Sequence, residues 1–367
     1  MGKKRFFDDR LKYLSFIQNT SEKKAISSKI YPHIASLSLN KSYLRILDAG
    51  TGDGTITSNV IKSFHRYHPY TSLLISGKEI SYEDLKNTLE KMPDRFVEHP
   101  NMLLTMTNVK FSEVGYIESS SKIKNKKVKE YNLILKSDNS FDFNTQITGT
   151  KLSNFIKKNW GIEIDKNGRT SYSNPCIIRI YREDNKRHLE HFLKNDYKNN
   201  NYDLIIASQA YRAASSVKVK VNNVIGPLMK LLNKSGKLLI THSCGGDSIQ
   251  KILKIAFKEK EAFPNTAKDI IEYLKNNPIV ENNKFNFGMP KSYFFNFRKA
   301  PDQTVTELFG HNMDAKWANI LYVGQIPEKD IQGLEKNQRA FNKVKKAIDN
   351  EKLIQFKNEI FSITKLR

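Results

Sequence analysis

Asp48, Gly50, Gly52 and Gly54 carry the strongest chemical signal in the chain. They follow a short apolar run, Leu44 to Leu47, and precede a helix-like stretch from Thr55 to Phe64. A strand that stops at a glycine-rich turn opening a helix marks a nucleotide-cofactor site. Backbone without Cβ atoms can approach such a ligand closely, where a side chain would collide. The spacing Gly-x-Gly-x-Gly, with an acid closing the strand, argues against a dinucleotide, whose loop reads Gly-x-Gly-x-x-Gly. Thr51 and Asp53 lie between the glycines and belong to the same candidate loop. Metal chemistry has little support. His188-x-x-His191 is the one metal-like spacing, and with no cysteine or acid partner it reads as a helix face. No metal is expected.

Strand, acid, glycines and helix in this order resemble motif I of the class I S-adenosylmethionine (SAM) methyltransferases. That resemblance implies a glycine loop passing under the amino-acid end of SAM, with Asp48 helping to organise that end. Other parts of the family pattern follow in order. Thr71–Ser76 reads as a second strand. Glu79, with Ile80 beside it, stands where the family places the acid that takes both ribose hydroxyls, which one carboxylate can do. Met102–Thr107 reads as a third strand, and Thr107 and Asn108 fall where an adenine contact is implied. Tyr202–Ser208 reads as a fourth strand. Leu231 to Ile240 resembles the helix, turn and fifth strand usually written Leu-x-Pro-Gly-Gly-x-Leu.

The tip of the fourth strand faces the reacting centre in such sheets, because ligands bind at the carboxyl ends of the strands. Here the tip is Ser208-Gln209-Ala210-Tyr211-Arg212. It occupies the place of the Asn/Asp/Ser-Pro-Pro-Tyr/Phe motif of nucleic-acid amino methyltransferases, with Gln209-Ala210 replacing the two prolines. What carries over is a polar group plus an aromatic at the methyl centre, with Ser208 on the cofactor side. A second resemblance, to histamine N-methyltransferase-like enzymes, rests on residues 13–22 and on Ser243-Cys244-Gly245-Gly246-Asp247-Ser248. It implies that Gln209 contacts the substrate, whereas Leu11–Asn19 contains no acid to match that family's glutamate. The chain is also similar to an uncharacterised bacterial methyltransferase group with Gly-Lys-Glu-Ile-Ser and Ala-Ser-Gln-x-Tyr-Arg. His242, after the fifth strand, is a candidate base or a partner for Tyr211, and Glu113, Tyr172 and Arg212 are candidate pocket residues. The expected function is SAM-dependent methylation of a small molecule at nitrogen or oxygen. The alternatives are a nucleic-acid base N-methyltransferase and a SAM-binding protein without catalysis. Aminopropyl transfer lacks its Asp-x-x-x-Asp-like pattern near the fourth strand.

Composition bounds these readings. The chain has 367 residues, 39% of them hydrophobic, enough for a core and too long for a minimal fold. No apolar run approaches the ~20 residues of a membrane span, and no apolar segment backs the basic N-terminus, so no membrane partner and a cytoplasmic setting are expected. Cys176 and Cys244 are the only two cysteines, which provides no disulfide framework. The net charge of +23 raises nucleic acid as a partner. Yet the lysines are scattered among asparagines, and the clusters at Lys122–Lys129 and Lys343–Lys346 lack interleaved aromatics for base stacking. A solvated surface and a small-molecule substrate are favoured.

The elements that must hold these residues form an α/β, Rossmann-like class I methyltransferase sheet with N-terminal helices and an inserted α+β cap. Residues 1–42 hold two helices, Arg10–Ile17 and Ser21–Leu37, with Thr20 or Ser21 as cap. Residues 43–115 form the SAM-binding half. Residues 116–201 form the insertion, expected to close over the cleft, with Leu189–Leu193 in a returning helix. Residues 202–326 complete the core and substrate region, with Tyr293–Lys299 and Trp317–Val323 as late strands or strand-helix edges. Residues 327–367 read as a charged helical end.

Overall fold

A computed structural model describes residues 10–38, 41–117, 120–164, 170–189, 201–258, 261–277, 284–297, 315–351 and 353–366. Two helices, α1 (Arg10–Asn19) and α2 (Glu22–Ala35), precede the first strand, β1 (Tyr43–Asp48). Then come α3 (Thr55–Tyr67), β2 (Ser72–Lys78), α4 (Tyr82–Glu90), α5 (Pro93–Glu98) and β3 (Met102–Thr107). The insertion holds β4 (Lys122–Ile123), β5 (Lys126–Lys127), β6 (Lys129–Leu135), α6 (Ser140–Ile147), α7 (Thr150–Asn159), β7 (Ile162–Ile164), β8 (Thr170–Tyr172) and β9 (Cys176–Arg182). The core resumes with β10 (Tyr202–Ser208), α8 (217–230, with a π-helical turn at Val221–Ile225) and β11 (Leu232–Ser243). After these lie α9 (Ser248–Ala256), α10 (Ala267–Lys275), β12 (Phe285–Phe287) and β13 (Lys291–Asn296). The chain closes with α11 (Ala315–Gly324), α12 (Glu328–Lys336), α13 (Gln338–Asp349) and β14 (Gln355–Lys365).

The strands β3, β2, β1, β10 and β11 run parallel and adjacent in that order. The order reverses at β1, as in doubly wound sheets that bind ligands outside the strand ends at that point. β2, β3 and β10 are buried almost throughout, as strands covered by helices on both faces must be. Alternation along β1 assigns the faces: Leu44 and Ile46 pack towards α2 and α3, and Leu47 joins the core under α8 and α10. Asp203 ties the starts of three strands together. It accepts from the Arg45 backbone N–H at 2.9 Å, Asn233 Nδ2 at 2.9 Å and Lys41 Nζ at 2.5 Å.

Several expectations need correction. The C-terminal region is helical only through α13; β14 then enters the central sheet antiparallel to β11. Its alternation of buried Phe356, Asn358 and Ile360 with less buried neighbours is a strand period hidden behind a charged stretch. Trp317–Val323 lies inside helix α11, packed through Phe16, Trp317 and Leu321 onto a third core with α9 and α13. The insertion is α+β, but β9 pairs antiparallel with β3 and β6 pairs with β9, so its long strands extend the sheet sideways. Ser21 precedes α2 without a capping side-chain bond; its hydroxyl instead accepts from the Asn296 N–H at 2.9 Å. The expected strand at Tyr293–Lys299 is β13 up to Asn296. Positions 298–299, like 190–193 of the expected returning helix, lie outside the described residues.

Candidate functional site

Where β1 and β10 diverge, a cavity of about 330 Å³ opens at the carboxyl ends of the strands. Gly50, Gly52 and Glu79 line it on one side, and Ser208 and Gln209 on the other. The glycine loop is built by conformations that few other residues tolerate. Gly52 has φ +56° and Gly54 has φ +78°. A Cβ on Gly54, at the start of α3, would lie 2.6 Å from Thr88 Cα; one on Gly52 would lie 2.4 Å from the Tyr13 hydroxyl. Thr88 Oγ1 donates to the Gly52 carbonyl at 3.1 Å and Lys91 Nζ to the Asp53 carbonyl at 2.6 Å, fastening the loop to α4.

Glu79 fastens it to β2. One carboxylate oxygen accepts from the Gly52 N–H at 2.8 Å, and the other accepts from Ile80 and Ser81, each at 2.8 Å. A carboxylate offers about four acceptor positions, so three are engaged and one remains for a hydroxyl in the cavity. Asp48 lies beneath the loop, fully buried, and does not line the cavity. Its carboxylate accepts from Thr57 Oγ1 at 2.6 Å. Burial pushes its pKa up to about 6, against the pull of Thr57, Lys23 and the Gly50 amide. Its role in this geometry is to hold the turn.

The remaining cofactor candidates separate. Asp53 turns to Lys91, at 3.6 Å, and to the Thr55 hydroxyl. Thr51 is buried, and Ile80 contributes its backbone to Glu79. Thr107 Oγ1 donates to the Cys176 carbonyl at 2.9 Å. Asn108 accepts from the Cys176 N–H at 2.8 Å and donates to the Asn174 carbonyl at 2.9 Å. Both side chains therefore clasp the start of β9, and neither lines the cavity. The insertion that the sequence placed over the cleft has taken these groups for its own attachment, and none of the cavity lining comes from its described residues.

At the tip of β10, Ser208 Oγ lines the cavity, is buried and has no hydrogen-bond partner among the described residues. Gln209 has φ +50°, a strained value for a non-glycine residue. Its Nε2 lies 3.3 Å from both Glu22 Oε1 and Ser243 Oγ. Tyr211 and His242 face each other instead of the cavity. The Tyr211 hydroxyl is 2.5 Å from His242 Nδ1, and His242 Nε2 is 3.5 Å from Glu359 Oε2. Burial lowers the His242 pKa and raises that of Tyr211 well above its usual range. Glu359 in turn accepts from the Ala267 N–H at 2.7 Å, so this chain joins β10, β11, β14 and α10 behind the tip. Glu113 pairs with Lys124 at 2.6 Å, Tyr172 packs in the core near it, and Arg212 is exposed. His188 meets the Ser72 hydroxyl at 2.8 Å, while His191 lies outside the described residues. Among the described residues no cluster of metal-ligating side chains forms, no helix is long and apolar enough to cross a membrane, and both cysteines are free.

Four residues that sequence reasoning left out complete the cavity. Tyr13 and Phe16 of α1 and Tyr322 of α11 roof it, with the Phe16 and Tyr322 rings stacked at 4.9 Å. Glu22, in the first turn of α2, lines the cavity at 5% exposure beside Gln209. Leu11–Asn19 contains no acid, and Glu22 follows Thr20–Ser21 in the next helix. Burial raises the Glu22 pKa, opposed by Lys23 and the Gln209 bond. On the other wall Lys78 Nζ lies 4.9 Å over the Phe111 ring, and burial lowers the Lys78 pKa.

The sequence matches no family model and no curated protein. Among solved structures it is similar to a SAM-dependent methyltransferase from Archaeoglobus fulgidus, at 12% identity and a TM-score of 0.32, with 94% of each chain covered. It is similar to a loganic acid methyltransferase with SAH at 11% identity and a TM-score of 0.38, covering 95% of this chain and 96% of that one. A third, PKMT2 from Rickettsia typhi with AdoHcy, is 11% identical with a TM-score of 0.30, covering 90% of this chain and 52% of that one. Likenesses this remote carry no weight for activity.

Proposed function

We propose that the cavity holds SAM and that the protein transfers its methyl group to a nitrogen or oxygen of a small molecule. The observation that carries this reading is the convergence of the glycine loop, Glu79 and the β10 tip on one cavity at the point where strand order reverses. The residues present fit such a cofactor. Gly50 and Gly52 leave backbone bare at the wall, and Glu79 keeps one acceptor position. When bound, SAM supplies an already activated methyl group, so the chain is required mainly to align the acceptor.

Gly50, Gly52 and Glu79 would hold the cofactor, with Phe111 and Lys78 along the same wall. Ser208, Gln209, Glu22 and Ser243 would face the acceptor. Where the acceptor starts protonated, Glu22 is the group placed to receive its proton, because burial holds its pKa above the usual carboxylate range. The roof of Tyr13, Phe16 and Tyr322 favours a small acceptor over a base in a polymer. Incubating the protein with methyl-labelled SAM and a bacterial metabolite extract tests this. Label in a small organic product, lost on Glu22→Gln and Gln209→Ala, is the expected result. Label entering added RNA or DNA instead would overturn the choice of acceptor, and no transfer to any fraction would favour a binding role.

A further inference from the structure

A second cavity, of about 360 Å³, lies at the other end of the parallel strands and shares no lining residue with the first. The last turn of α2, the starts of β1 and β10 and the irregular beginning of β11 enclose it. Leu37, Leu44 and Leu204 supply apolar wall, and His33, Lys41, Lys234 and Lys237 supply cationic or basic groups. Asp203 is the one acid among the described lining residues, and it is already engaged by Lys41, Asn233 and the Arg45 N–H.

The charge left over is positive. Lys237 Nζ lies 3.4 Å from His33 Nδ1, an arrangement that keeps the imidazole neutral. Burial, Lys237 and Lys291 all lower the His33 pKa, so like charges crowd this wall, and the Asp203 carboxylate is already engaged by Lys41 and Asn233. Helix α2 ends here, and the end of a helix disfavours anions. Its last carbonyls are nonetheless covered: Ser36 N–H donates to Pro32 O at 3.2 Å, Leu37 N–H to Ile34 O at 3.1 Å and Ser36 Oγ to His33 O at 3.0 Å. Two ammonium groups and an imidazole able to take a proton suit a dianion better than a single carboxylate.

We propose that this cavity binds a small organic phosphate monoester, with the phosphate among Lys234, Lys237 and His33 and the apolar remainder against Leu37, Leu44 and Leu204. Calorimetric titration of the full chain with phenyl phosphate, inorganic phosphate and phenol tests it. Phenyl phosphate should bind most tightly, phosphate more weakly and phenol least. Binding should weaken as salt rises well above ~0.1 M. Lys234→Ala, at an exposed position, should weaken it several-fold, and Lys234→Ala with Lys237→Gln by about tenfold or more. The His33 ring resonances should move on binding and titrate at higher pH, although Lys41, Lys237 and Lys291 face the same region and Asp203 opposes them. Lys78→Ala, in the first cavity, should leave phenyl phosphate binding unchanged. Absence of binding, binding insensitive to Lys234→Ala in a folded protein, equal binding of phenol, or loss on Lys78→Ala would each overturn the assignment.

Discussion

The two sides of the first cavity are finished to different degrees. On the glycine-loop side most polar groups are engaged with one another: Glu79 accepts three backbone N–H groups and keeps one position, Thr88 holds Gly52 and Lys91 holds Asp53. On the β10 side Ser208 Oγ has no hydrogen-bond partner among the described residues, Gln209 makes two long bonds of 3.3 Å, and Glu22 is a buried acid. A wall whose bonds are already made is rigid before any ligand arrives. A wall with hydrogen-bonding capacity in reserve is stabilised by a ligand that uses it. Under the proposed reading, the finished side would hold the cofactor and the receptive side the molecule acted upon.

Removing the centre of the finished wall should have the largest effect. Glu79→Ala strands three N–H groups and should cost about 2–4 kcal/mol of stability in denaturant unfolding, with Glu79→Gln intermediate because one oxygen can still accept. A Glu79→Ala protein as stable as wild type would mean that the loop is held by other contacts. Next is Gly52→Ala, which meets both φ +56° and the Tyr13 hydroxyl. A loss of about 1–2 kcal/mol is expected. Adding Tyr13→Ala should recover the steric part and leave the backbone part, a partial rescue visible in the same unfolding curves.

The receptive wall should respond in the opposite sense. Gln209→Gly relieves a positive φ and should stabilise the protein by about 0.5–1 kcal/mol, while methyl transfer falls sharply. Stability and turnover dropping together would place Gln209 in the scaffold. A pH-dependent effect distinguishes Asp48. Its folded pKa, about 6, lies above the ordinary carboxylate value of 3.8. Between those values the folded state binds more protons than the unfolded one, so this group's contribution to stability declines as pH rises from 4 to 6 and is constant above. A shift of this size corresponds to at most about 3 kcal/mol. Asp48→Asn should therefore gain on wild type in melting temperature across that range, and a flat difference would contradict the raised pKa.

Legibility in the sequence followed the range of the interactions involved. The glycine loop, Glu79 and the run into Ser208 were readable because neighbouring residues build each of them, and the buried strands announce their own ends. Thr107 and Asn108 bond instead to Asn174 and Cys176, partners far along the chain that arrive only when β9 pairs with β3. Tyr211 and His242 looked like site residues because both follow strands that end at the cleft, yet Glu359, on β14, draws His242 behind the tip. That contact required the final strand to be recognised, and its alternation was obscured by the charged Lys357 and Glu359 between buried Phe356, Asn358 and Ile360. Glu22 lies in the next helix, outside the Leu11–Asn19 segment that the sequence reading searched.

The central claim is that the finished wall holds SAM. Calorimetric titration of SAM into the full chain, with Glu79→Gln compared at matched folding, tests it most directly. One site per chain is expected in the wild type, with an affinity lower by about tenfold or more in Glu79→Gln, the loss of roughly one charge-assisted hydrogen bond. No binding by the folded wild type, or equal affinity in both proteins, would contradict it.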